Sequence, residues 1–245
     1  MYTFFDSASY MMGPSRKFAK ILRSGLANSP QAPDLCLVRF IEGLADMYER
    51  STRYVKKPEF NIDQITVDGE DINVYQTTVM KKPFCDLVRF TKEDQQREPK
   101  VLIIAPVSGH FATLLKDTVK RMLPKHEVYI TDWKSVRDVP LAAGSFTLDD
   151  YLTYLIDFLH KIGPTAHVMA VCQPAVQVMA LAAVMDEGND PCLPSTIIPM
   201  GGPIDPRAKK TQVNELAESY PLSWFERNFL TYVQTGNIGE GRLVY

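Results

Sequence analysis

With 245 residues, 45% hydrophobic and 23% charged, the chain has the balance of one large globular domain, alone or with an extension, and can bury a sizeable core. A formal net charge of −2, from 27 basic and 29 acidic residues, gives no electrostatic basis for nucleic-acid binding. Cys36, Cys85, Cys172 and Cys192 have no metal-ligand spacing, no apolar run approaches the ~20 residues of a spanning helix, and the start lacks the basic and apolar regions of a signal peptide. A reducing, cytoplasmic setting with free thiols is expected.

Residues 1–58 read as a helical extension. Phe18, Ile21 and Leu22 share one helix face, and Leu37, Phe40, Ile41, Leu44 and Met47 repeat the pattern after the Pro-marked break at Asn28–Pro33. The cluster Tyr2, Phe4, Phe5, Tyr10, Met11 and Met12 is either core or a partner-binding arm. Residues 59–205 read as the main domain. Its first apolar residues follow period two: Ile62, Ile65 and Val67, then Ile72, Val74 and Tyr75, around the hairpin signal Asp68-Gly69. Phe84–Phe90 continues these antiparallel edge strands.

Strand and helix then alternate. Val101–Ala105, Glu127–Thr131, His167–Val171 and Ser195–Met200 read as strands, with helices at Thr113–Leu123, Leu148–Ile162 and Val176–Met185 between them. This alternation predicts a mainly parallel sheet with helices on both faces. Residues 206–245 turn polar, become helical at Gln212–Ser219, and pass through the aromatic segment Leu222–Val233 with no clear final strand.

The chemistry converges on Ala170-Val-Cys-Gln-Pro174, where an apolar strand stops at Cys172 and a helix begins. A nucleophile on a tight strand–helix turn usually carries G-x-S-x-G. Here cysteine replaces serine, and alanine and proline stand where glycines are usual. Pro174 fits the first helical turn, where its missing N–H costs nothing. The helix N-terminus favours a thiolate, and the Gln173 N–H is free to serve an oxyanion. Val107 or Ser108, in the loop after the first parallel strand, is the candidate second donor. The same pattern also fits a small buried hydrophobe at a strand end. His110, His126, His160 and His167 all precede Cys172, so no base falls in the expected nucleophile–acid–base order, and Asp205 reads as a turn or cap residue.

Thr131-Asp-Trp133, Phe146-Thr-Leu-Asp-Asp-Tyr151, Gly163-Pro164, His167-Val-Met-Ala-Val-Cys-Gln-Pro174, Met200-Gly-Gly-Pro-Ile-Asp205 and Val213-Asn-Glu-Leu216 resemble the intracellular polyhydroxyalkanoate (polyhydroxybutyrate) depolymerases. The resemblance implies an α/β-hydrolase fold with Cys172 as nucleophile. It also implies hydrolysis of stored 3-hydroxyalkanoate polyester at a granule surface, without metal or organic cofactor. Members of that family are longer and carry their acid and histidine beyond the matching region, so 206–245 is expected to be the start of a cap region. The final core strands and the triad acid and base are then absent, with little or no turnover. Two other readings remain: a polyhydroxyalkanoate synthase, which also uses an elbow cysteine, and a non-catalytic granule-associated protein of the same fold.

Overall fold

Residues 17, 18, 20, 21, 24, 36–52, 57–93, 98–107, 111–233 and 235–244 are described by the computed structural model. Helix α1 (Cys36–Thr52) is the second helix expected in the N-terminal extension. The aromatic cluster from Tyr2 to Met12 and the Pro-marked break lie outside the described residues.

Seven strands form the main sheet: β1 (Gln64–Val67), β2 (Glu70–Lys81), β3 (Cys85–Lys92), β4 (Lys100–Ile104), β5 (Glu127–Trp133), β6 (His167–Val171) and β7 (Thr196–Met200). Their order is β1-β2-β3-β5-β4-β6-β7. The β1–β2, β2–β3 and β3–β5 pairs are antiparallel, whereas β4 runs parallel to β5 and β6, and β6 parallel to β7. Asp68 (φ 52°) and Gly69 (φ 91°) make the β1–β2 turn, the positive-φ pair that a two-residue hairpin requires. Strand β2 extends well past the apolar stretch that signals it, because Gln76, Thr77 and Thr78 face solvent while their backbones pair with β3.

The core lies on β3 to β6. Leu102, Ile103 and Ile104 are fully buried, as an unbroken apolar run in a doubly covered parallel strand should be. Helix α2 (Lys116–Met122) connects β4 to β5, α3 (Leu148–Ile162) connects β5 to β6, and α4 (Pro174–Glu187) connects β6 to β7. The first crossover runs one way across the sheet and the other two run back. Right-handed connections therefore put α2 on one face and α3 and α4 on the other, where α3 and α4 pack together. Helix α3 starts at a capping box between Thr147 and Asp150 and buries Tyr151, Leu155, Phe158, Leu159 and Ile162 along one stripe. It stops at Gly163, whose φ is +89°. This is the α/β-hydrolase-like arrangement expected, with an antiparallel edge and a parallel remainder.

The C-terminal segment has α5 (Gln212–Ser219), α6 (Leu222–Phe229) and a small separate hairpin, β8 (Thr231–Tyr232) with β9 (Leu243–Val244). The hairpin stands apart from the main sheet, and strands of two residues are too short to give a periodicity signal. Arg242 anchors it to the core. Its guanidinium is buried over the Phe84 ring and donates to the carbonyls of Val139 (3.2 Å), Gly144 (2.6 Å) and Pro140 (2.5 Å). Nearby, the Gly239 N–H donates to the Arg137 carbonyl at 2.8 Å.

Candidate active site

Strand order reverses around β4: the chain leaves it for β5 on one side and returns to β6 on the other. The carboxyl ends of β4 and β6 therefore flank the crevice where open α/β sheets bind ligands. Ile104 pairs with Ala170, so the loop after β4 and the residue after β6 leave the sheet side by side.

Cys172 follows β6 directly, is exposed, and has a φ of +65°. A non-glycine residue in this region carries strain on the order of 1–3 kcal/mol and persists only where its surroundings hold it. Here those surroundings are visible. The Cys172 N–H donates to the Met200 carbonyl at 2.8 Å, and the Ala175 N–H donates to the Cys172 carbonyl at 3.1 Å. Gln173 already has helical angles, and Pro174 opens α4. The reversal from strand to helix is thus confined to two residues, with the thiol at its apex.

The glycines missing from the Cys172 stretch have a counterpart elsewhere. Ala170 and Ala175 are fully buried beneath the turn. A Cβ on Gly202 would lie 2.1 Å from the Ala175 Cβ and 2.7 Å from the Cys172 carbonyl oxygen. Gly202 therefore lets the loop after β7 close against the elbow. In the sequence, Met200-Gly-Gly-Pro stands out only as a family marker, and its glycine pair directly after a strand is the one local sign of this approach.

The Gln173 N–H has no hydrogen-bond acceptor among the described residues, and its buried side-chain Oε1 has no donor among them. Val107, three residues beyond Ile104, is half-buried against the core. The base of its loop is fixed on both sides: the Ala105 N–H donates to Thr131 Oγ1 (2.9 Å), and Trp133 Nε1–H donates to the Ala105 carbonyl (3.0 Å). Ser108 and His110 lie outside the described residues.

Cys85 and Cys192 differ from Cys172. Cys85 is buried, and burial, reinforced by Asp132 and Asp86, pushes its thiol well up. Cys192 is also raised by burial and sits before β7, at the other end of the sheet. The described histidines lie at that end too. His167 opens β6 with Nδ1 2.8 Å from Thr196 Oγ1, and five strand residues at about 3.3 Å each put it roughly 16 Å from Cys172. His126 contacts the Met122 carbonyl just before β5, and His160 ends α3 beside Asp190. Asp205 is exposed and holds the side chain and N–H of Arg207, which lowers its carboxyl from the ordinary range.

A family model described as "PHB de-polymerase C-terminus" matches residues 201–245, the stretch that begins beside the elbow at Gly201. It bears out the resemblance to the polyhydroxybutyrate depolymerases. Among curated proteins, none matches the chain. Similar solved structures include a bacterial membrane phospholipase A, at 13% identity over 61% of this chain and 46% of that one, with a TM-score of 0.44. Esterases from Rhizomucor miehei are similar at 12% identity over 60% of this chain and 49% of theirs (TM-score 0.43). Naproxen esterase from Bacillus subtilis is similar at 14% over 51% and 42% (TM-score 0.36). The chain spans about half the length of these structures or less. Among the described residues no helix is long and apolar enough to cross a membrane.

Proposed function

We propose that the chain carries the acyl-accepting half of an intracellular polyhydroxyalkanoate depolymerase, with Cys172 as nucleophile. The observation that supports this most is the exposed thiol held at φ +65° between a buried parallel strand and a helix that opens with proline. The Cys172 sulfur attacks the ester carbonyl carbon of a 3-hydroxyalkanoate unit, and the carbonyl oxygen takes the negative charge. The N–H groups of Gln173 and Val107 are the donors proposed for it, Ser108 being the other candidate in that loop. Collapse expels the alkoxide end of the remaining polymer, which takes a proton from solvent to become a hydroxyl, and leaves an acyl-thioester. Water then releases the hydroxy acid. No step calls for a metal or organic cofactor. The substrate is polymer or oligomer, met in the cytoplasm at a granule surface.

The described histidines stand at the far end of the sheet, so water attack on the thioester proceeds without one of them as base. Acylation is therefore expected to outrun deacylation. An activated ester of 3-hydroxybutyrate should give a burst of about one leaving group per chain. Intact and peptide mass spectrometry should find a persistent hydroxybutyryl adduct on Cys172, absent in Cys172→Ala. Acylation elsewhere, or none, would overturn the reading. The same placement of histidines favours a second reading, a non-catalytic granule-associated protein. Its mark is co-sedimentation with polymer granules while Cys172 stays unmodified.

A further inference from the structure

We propose that His160, Asp190 and Cys192 bind a divalent cation of the Zn2+ class, at the sheet end opposite Cys172. Their donor atoms, an imidazole nitrogen, a carboxylate oxygen and a sulfur, all lie within 4.8 Å of one another. This mixed set suits Zn2+ or Co2+ and not Mg2+ or Ca2+, which take oxygen ligands.

The three residues come from two elements that the fold brings together. His160 sits in the last turn of α3, with its side chain half exposed. Asp190 and Cys192 lie on the loop between α4 and β7. That loop is fixed by its own hydrogen bonds. Asn189 turns the chain at φ +50°, the Asp190 N–H caps the Met185 carbonyl at 2.9 Å, and the Ser195 N–H reaches the Ala166 carbonyl at 2.8 Å.

The carboxylate is already oriented. Asp190 Oδ1 accepts the Cys192 N–H at 2.8 Å, while Oδ2 faces His160 Nε2 at 2.7 Å. One oxygen is tied by a supporting backbone donor and the other is aimed at the shared point, as outer partners aim metal ligands. The cluster opens on a cavity of about 470 Å³, bounded also by Ile156, Met185 and Pro191. Three protein ligands and an open fourth position for water match the make-up of catalytic rather than closed structural zinc sites. Coordination by sulfur displaces the thiol proton, which leaves to solvent.

The test is a Co2+ titration of the full chain carrying Cys172→Ala, which removes the exposed thiol. A thiolate-to-cobalt charge-transfer band should saturate near one equivalent and be displaced by Zn2+. Adding Cys192→Ser should abolish the band. Adding His160→Ala, at a half-exposed side chain whose loss leaves the fold intact, should weaken Co2+ binding by at least ~10-fold. Absence of the band in the parent, its survival in Cys192→Ser, or unchanged affinity in His160→Ala would each overturn the site.

Discussion

At the scale of single residues, two adjacent glycines serve the elbow for different reasons. Gly201 has a φ of +64° and open space where a Cβ would go, so Gly201→Ala meets only the left-handed backbone penalty, about 1 kcal/mol. Gly202→Ala drives a methyl into Ala175 and the Cys172 carbonyl. It should cost about 1–3 kcal/mol in urea denaturation. It should also slow acylation of Cys172, because the strained turn must shift to admit the methyl, whereas Gly201→Ala leaves the acylation rate near the parent's. Equal effects on acylation would mean that the close approach does not set the thiol's position. The sequence made Cys172 visible because an apolar run stops there and Pro174 follows. Gly202 showed there only as one of a glycine pair directly after a strand, since a close approach between segments distant in the chain does not name its partner locally. The cluster at His160, Asp190 and Cys192 was hidden similarly, being assembled from a helix end and a loop with no ligand spacing between them.

At the scale of elements, legibility tracks how local the stabilising interactions are. Helices α3 and α5 occupy the ranges their periodicity predicts, and each begins at a capping box, Thr147 with Asp150 and Thr211 with Asn214. Strands β4 to β7 were legible as short apolar runs because both faces of most of them are covered. Strand β9 was not legible, because it depends on contacts far away in sequence. Its neighbour Arg242 is buried among three backbone carbonyls of the 139–144 segment, which no pattern around residue 242 reveals. Arg242→Ala takes a donor from all three carbonyls, leaving Pro140 with only the Ala143 N–H, and removes the cation over Phe84, a loss on the order of 3 kcal/mol. The hairpin should then be the part that loosens. Hydrogen exchange should rise at Val233 and Gly241, whose N–H groups donate to the Arg242 and Val233 carbonyls, while β4 to β6 stay protected. Uniform loss of protection across the sheet would show instead that the hairpin and the core unfold as one unit.

At the scale of the whole molecule, apolar surface is unevenly distributed. The sheet is buried from β3 to β6, yet β7 at its edge exposes Thr196, Ile198, Pro199 and Met200, with no charge along the strand. Helix α4, which connects to it, is apolar on both faces and exposes Val176, Met179 and Val184. Edge strands usually carry a charge, a bulge or a cover to prevent pairing with other chains. Pro199 removes one N–H donor, a partial blunting, and nothing else in β7 does so. The chain is therefore expected to self-associate with rising concentration in sedimentation velocity. Ile198→Lys puts an ammonium on the exposed edge at a residue 41% exposed and outside the buried core, and should shift the population toward monomer. The matched control is Leu148→Lys at the start of α3, a residue 58% exposed and away from that edge, which should leave association unchanged. Equal relief by both substitutions would point to net charge as the cause, and a monodisperse parent would show that the β7 edge is not sticky as it stands.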